Sequence, residues 1–246
     1  MRIKIINPNT CEDMTRSIDE AARKSARAGT EIVSVSPAKG PISIESFHDQ
    51  YASVIGLMEE MHKGVEENFD AFIVAAACEP GLSVAREISN APVIGIAEAA
   101  MYMASMVAAK FSVVTVLPKI KPLIEEAVKR AGIREKCVSI RTTNLTVLDC
   151  ENSPDRVMEE LTRESRSAIE EDEAEAICLG CSGMTSFAIE LEKVVGAPVF
   201  DGVIAAVKMA EALVDLKKRT SKVLTYQQGR PKEYKGFPSL TTLRAG

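Results

Sequence analysis

Tryptophan is absent, and aromatic residues make up only 4% of the 246-residue chain. Proteins that hold single-stranded nucleic acid stack bases on exposed rings along a basic groove. Here both rings and charge are lacking, because 30 lysines and arginines meet 35 aspartates and glutamates, a formal net charge of −5. Nucleic acid and membrane are therefore excluded as expected partners. Histidine occurs only twice, as His48 and His62. With one Cys-x-x-Cys pair, Cys178 and Cys181, and no second, a zinc site or redox dithiol is a minor reading, and neither metal nor cofactor is expected. Long hydrophobic runs are missing too: the longest nearly apolar window, residues 91–109, is broken by Pro92, Gly95 and Glu98. That pattern suits a strand followed by a buried helix rather than a membrane span. Met1 to Asn7 enters a strand-like run without the features of a signal peptide, so the expected location is the cytoplasm. In that reducing setting the six dispersed cysteines, Cys11, Cys78, Cys137, Cys150, Cys178 and Cys181, are expected as thiols.

What the chain does contain is alternation. Strand-like runs at 2–7, 31–35, 71–76, 92–96, 111–116, 137–141, 176–180 and 198–200 are separated by helical patterns near 11–28, 50–68, 80–88, 98–109, 119–131, 153–171, 184–194 and 202–217. Thr10 and Ser153 stand where helix caps are expected. The helix at 50–68 carries Val54, Leu57, Met58, Met61 and Val65 at helical spacing, which leaves His62 as a surface residue. Alternation of this kind predicts an α/β protein with mostly parallel sheets and a ligand site at the carboxyl ends of the strands. The loops after Asn7, Ala76, Thr115 and Gly180 should converge there.

The chemistry is sought first in Ala176-Ile-Cys-Leu-Gly-Cys-Ser-Gly-Met184. A short apolar run delivers Cys181 into a glycine-flanked turn that opens a helix, where N–H groups lack intrahelical partners and favour a thiolate or an anionic substrate. The plain alternative is a small buried hydrophobe. An internal repeat bears on the choice. Ala71-Phe-Ile-Val, a small-residue turn, a helix and Ala91-Pro-Val93 are echoed by Ala176-Ile-Cys-Leu, a turn, a helix and Ala197-Pro-Val199. Two pseudo-symmetric, Rossmann-like lobes are implied, 1–95 plus 205–246 and 96–204, facing one another across a cleft. Such a layout suits a two-base reaction. Cys181 lies 17 positions before Pro198; counting back 16 or 17 from Pro92 gives Ala76 or Ala75, whereas Cys78 is only 14 before it. Two extended residues span roughly 6.6 Å, and a proton-transfer group must come within about 3 Å. Cys78 can stand in only if the chain turns back at Ala77.

With these residues the sequence resembles the hydantoin and allantoin racemases of the Asp/Glu racemase superfamily along nearly its whole length. The resemblance rests on Ile6-Asn-Pro-Asn-Thr10, Ser43-Ile-Glu45, Glu79-Pro-Gly-Leu82 with Ala85-Arg86, and Pro92-Val-Ile-Gly-Ile-Ala-Glu-Ala-Ala100. It continues through Phe111-Ser-Val-Val-Thr115, Leu179-Gly-Cys-Ser-Gly-Met184, and Pro198-Val-Phe-Asp-Gly-Val203 with Ala205-Ala-Val-Lys-Met209. It implies an Asp/Glu-racemase-like fold, a homo-oligomer and a cofactor-independent racemase in which two cysteines act on C5 from opposite faces. Cys181 matches the second cysteine. The first departs from the pattern, because the position four residues before the Pro-Gly pair holds Ala76. A deliberate replacement, a natural variant using Cys78 as fallback base, or lost activity would each account for it.

The resemblance also makes Asn7, Pro8, Asn9, Ser43, Ile44, Ala77, Pro80, Gly81, Thr115, Ser182, Gly183 and Met184 candidates for substrate contact. Asn7 could equally be a structural cap. The expected partner is a small molecule, a 5-substituted hydantoin or allantoin. Aspartate or glutamate racemisation, and ligand binding without turnover, are the alternatives.

Overall fold

The first strand, β1 (Arg2–Ile6), is apolar from Ile3 onward except for Lys4, and everything in the amino-terminal half of the chain is arranged about it. A computed structural model describes residues 1–230 and 232–236; residues 231 and 237–246, the end of the segment expected in the first lobe, lie outside the described residues. β1 leads through α1 (Glu12–Ser25) to β2 (Glu31–Val35), then through a loop and α2 (Phe47–Glu66) to β3 (Ala71–Val74). α3 (Leu82–Ile88), β4 (Val93–Gly95) and α4 (Ile96–Val107) complete this half. The second half repeats the plan with β5 (Phe111–Thr115), α5 (Lys121–Arg130) and β6 (Cys137–Thr142). It continues through α6 (Asp149–Asn152), α7 (Pro154–Glu170), β7 (Ala176–Leu179), α8 (Ala188–Val195), β8 (Val199–Phe200) and α9 (Gly202–Asp215). No helix of the described residues is long and apolar enough to cross a membrane.

Two four-stranded sheets result, ordered β2-β1-β3-β4 and β6-β5-β7-β8, with every pairing parallel. The order is the same under the exchange of β1–β4 for β5–β8, which is the repeat seen in the sequence. β3 and β7 are buried along their whole length, as continuous apolar runs should be in sheets covered on both faces. Each sheet with its flanking helices forms a lobe. One apolar core runs from beneath the first sheet through α4 and α9 into the second, while Leu57, Met61, Phe72 and Leu82 fill a smaller cluster under α2 and α3. α9 returns to the first half and packs on α1, α4, β3 and β4.

Three local expectations are corrected. Thr10 does not cap α1: its hydroxyl donates to the Pro41 carbonyl at 3.3 Å, and the Cys11 N–H donates instead to Asn9 Oδ1 at 2.9 Å. Ser153 does stand at the N-cap of α7, but at φ −142° and ψ 58° it lies outside the extended conformation from which a side chain caps the second or third N–H, and it makes no side-chain capping bond. His62 is half-buried, with Nε2 enclosed and unpartnered, and burial lowers its pKa below the usual imidazole value.

Candidate active site

The carboxyl ends of β1, β3, β5 and β7 point into the cleft between the lobes, where they enclose a cavity of about 30 Å³. The loops expected to converge do so. Asn9 comes from the loop after β1, Ala76, Ala77 and Cys78 from the turn after β3, Val116 from the end of β5, and Gly180, Cys181 and Ser182 from the turn after β7. Met14, Ile44, Ile120 and Val147 close the apolar remainder of the wall. No Asp, Glu, Lys, Arg or His lines it among the described residues.

Backbone pairing resolves the register that the repeat left open. The Ala75 N–H donates to the Ile6 carbonyl at 2.9 Å, and the Gly180 N–H donates to the Val114 carbonyl at 2.8 Å. Each bond extends a ladder by one step beyond its strand, so Ala75 corresponds to Gly180. The next residues, Ala76 and Cys181, are therefore equivalent, and both face the one cavity.

The two turns differ in how they are held. On the Cys181 side, Thr115 Oγ1 donates to the Gly180 carbonyl at 2.8 Å, and a Cβ at Gly180 would stand 2.7 Å from Thr115 Cβ. Only glycine allows this approach. Cys181, extended at φ −155°, then opens a 3-10 turn over Ser182–Phe187. On the other side the Glu79 N–H donates to the Ala76 carbonyl at 2.9 Å, so the chain does turn back at Ala77 and Cys78 reaches the cavity wall. Its thiol is 2% exposed. Burial first, then the Glu79 carboxylate, push the Cys78 thiol up to about 12. Such a rise favours the protonated thiol.

Of the remaining candidates, Asn9, Ile44, Ala77 and Ser182 line the cavity, while Asn7, Pro8, Ser43, Pro80, Gly81, Thr115, Gly183 and Met184 are not part of its lining. Asn7 is held inside the loop rather than capping α1: its Oδ1 accepts the Asn9 N–H at 3.3 Å, and its Nδ2 donates to Asn9 Oδ1 at 2.8 Å and to Thr15 Oγ1 at 3.0 Å. Asn9 Nδ2 and Ser182 Oγ instead both point at Met14 Sδ, at 3.4 and 3.6 Å. A thioether is a weak acceptor, so these are two donors aimed at a place where a better acceptor could sit. Sequence reasoning missed Met14, Val116, Ile120 and Val147, whose apolar side chains carry no signal that separates a pocket wall from a core. Glu45, singled out in the sequence within Ser43-Ile-Glu45 but given no contact there, accepts the Val147 N–H through Oε1 at 2.9 Å and joins the loops over the cavity.

The six cysteines are all buried and form no disulfide. Cys178 lies within β7, and burial raises its thiol pKa far above the ordinary value, which fits a core residue rather than half of a redox pair. Among the described residues no group of three His, Cys, Asp or Glu side chains is arranged to hold a metal ion.

Comparison with known proteins shows the family and the fold. A family model for Asp/Glu/hydantoin racemases matches residues 3–210. The chain is 53% identical over 236 residues to a hydantoin racemase of a Pseudomonas species, spanning 96% of this chain and 95% of that protein. Its fold superposes on an allantoin racemase from Klebsiella pneumoniae with a TM-score of 0.95 at 40% identity, over 98% and 99% of the two chains. For an allantoin racemase from Pseudomonas fluorescens the values are 0.93 and 42%, over 96% and 100%.

Proposed function

Because the chain belongs to the Asp/Glu/hydantoin racemase family, we propose that its site moves a proton at C5 of a 5-substituted hydantoin or of allantoin, without a cofactor. The observation that carries this reading is the equivalence of residues 76 and 181 at matching ladder positions on one cavity. A planar carbanion held between them is reached from both faces, which racemisation requires. The C5 hydrogen is acidified by the adjacent carbonyl and ring nitrogen, so the protein need only place the base and stabilise the charge that develops on oxygen. Asn9 Nδ2 and Ser182 Oγ are the side-chain donors oriented for that oxygen.

In this reading the Cys181 thiolate takes the C5 proton, leaving a thiol and the ring enolate, and the thiol returns a proton to the same carbon. With a thiol opposite, the second proton would arrive on the other face and invert the centre. Ala76 supplies none. The chain is then a racemase with one of its two acid/bases replaced, able to exchange a proton on one face. Cys78 does not substitute, because its buried thiol holds its proton.

An uncharged lining favours a neutral ring over free aspartate or glutamate, whose ammonium and carboxylates would be buried without partners. The apolar wall of Met14, Ile44, Val116, Ile120 and Val147 suits an apolar C5 substituent better than the ureido group of allantoin. The cavity has room for about one or two waters, so substrate enters by parting the loops joined at Glu45 and Val147. The exposed stripe of Phe47, Tyr51 and Ile55 on α2 supports self-association, and the site thiol suits the reducing cytoplasm. The packing of α9 on α1, β3 and β4 supports assigning that helix to the first lobe.

The test is deuterium uptake at C5, followed by NMR on each enantiomer of 5-substituted hydantoins, allantoin, aspartate and glutamate. One hydantoin enantiomer should exchange with retention, and Cys181→Ser should abolish it. Exchange of aspartate but not of hydantoins would overturn the substrate assignment, and binding of hydantoin without exchange would make the protein a ligand-binding relative.

A further inference from the structure

The turn that carries residue 76 is tied to the opposite lobe by a carboxylate that the exchange just described does not use. Glu79 follows Cys78, adopts a left-handed φ of +50°, and has a side chain with no solvent exposure. Its Oε1 accepts the Glu98 N–H at 2.7 Å, and its Oε2 accepts from Arg130 Nη2 at 2.6 Å. Glu98 belongs to α4, which joins the two sheets, and Arg130 ends α5 in the second lobe, so one carboxylate holds the turn to both. The site is shaped for it: a Cβ at Gly95 would stand 2.1 Å from Glu79 Oε1. Burial and the nearby Glu98 carboxylate raise the pKa of Glu79, and Arg130 opposes that rise. Glu79 is fully buried while the Arg130 side chain keeps 32% of its surface exposed, and an ion pair with one enclosed partner is a poor source of net stability and a good way to fix position. Position is what this turn needs, because the Glu79 N–H itself donates to the Ala76 carbonyl.

We propose that Glu79 and Arg130 are positioning residues, a clamp between the lobes that sets where residue 76 stands relative to Cys181. The proposal rests on the racemase reading above. Misplacement by about 1 Å costs on the order of 100-fold in rate. Cys181 is held separately, by Thr115 and β5, so loss of the clamp should harm the residue-76 face and spare the other.

The experiment compares two readouts at saturating substrate. Racemisation of an enantiopure 5-substituted hydantoin is measured by polarimetry in the Ala76→Cys background, alone and with Glu79→Gln, Arg130→Met or Arg130→Lys. Single-face deuterium exchange is measured with the same clamp substitutions in the chain that retains Ala76. Glu79→Gln and Arg130→Met should slow racemisation about 100-fold, with at least tenfold of that loss recovered in Arg130→Lys. Exchange through Cys181 should stay within about threefold of the parent. Racemisation within threefold of the Ala76→Cys protein overturns the clamp, and so does an equal fall in both readouts, which marks a general structural role. Should Glu79→Gln fail to fold, the Arg130 pair decides, since that side chain is 32% exposed. Absence of both racemisation in Ala76→Cys and exchange in the parent would refute the racemase reading and the clamp together, whereas a racemising Ala76→Cys protein indifferent to Glu79 refutes the clamp alone.

Discussion

Ala76→Cys should restore inversion. Ala75 pairs with Ile6 and Gly180 with Val114, each one step beyond its strand, so a thiol at position 76 stands at the same step as Cys181. A positioned acid/base contributes about 10²–10⁴-fold, equivalent to roughly 3–5 kcal/mol of barrier. Racemisation should rise by that factor over the parent while single-face exchange through Cys181 stays nearly constant. The stability cost is bounded by the overpacking penalty of about 1–3 kcal/mol. It should fall near the lower end, because Ala76 is partly exposed and borders the cavity. The assay is loss of optical rotation from an enantiopure 5-substituted hydantoin in D₂O, with NMR counting deuterium at C5. Every inverted molecule should carry deuterium from the solvent-exchanged thiol. A gain of less than tenfold in Ala76→Cys, together with loss of the parent's turnover in Cys78→Ala, would refute the reasoning and make Cys78 the second base.

Three further outcomes follow from the same geometry. The Cys78 pKa lies above its unfolded value, so its contribution to stability is intact below about pH 9 and is lost as pH rises toward about 12; denaturant midpoints measured from pH 8 to 11 should fall less steeply in Cys78→Ala. Gly95→Ala places a methyl group on the Glu79 carboxylate and should cost about 1–3 kcal/mol, seen calorimetrically as a melting temperature lower by roughly 2–10 °C. Thr115→Val keeps the shape but removes the donor to the Gly180 carbonyl; it should cost about 1–3 kcal/mol and slow single-face exchange more than Asn7→Ser does, as read by NMR.

The element order, the parallel sheets, the repeat and the strand-end place of Cys181 were all legible in the residues. Apolar runs of four or five residues ended by glycine or proline are local signals, and β3 and β7 are buried throughout as such runs predict. Capping was less legible. Thr10 had the right side chain for a cap, but its partner, the Pro41 carbonyl, lies 31 residues away in another loop. The pocket wall was least legible, because Met14, Val116 and Ile120 look like any core residue until two sheets bring them to one cavity.

The sequence alone determined that residue 75 or 76 repeats the place of Cys181 and that neither is a cysteine; chemistry at that end of the strand is a matter of residue type, and residue type is read directly. The tertiary structure decided which of the two faces the cleft, because register depends on a hydrogen bond to a neighbouring strand, and the Ile6 carbonyl chooses Ala75. It also set the surroundings of Cys78. A thiol's proton affinity follows from burial and from nearby charge, and only the fold brings Cys78 into the interior beside Glu79 and ties that carboxylate to Arg130 of the opposite lobe.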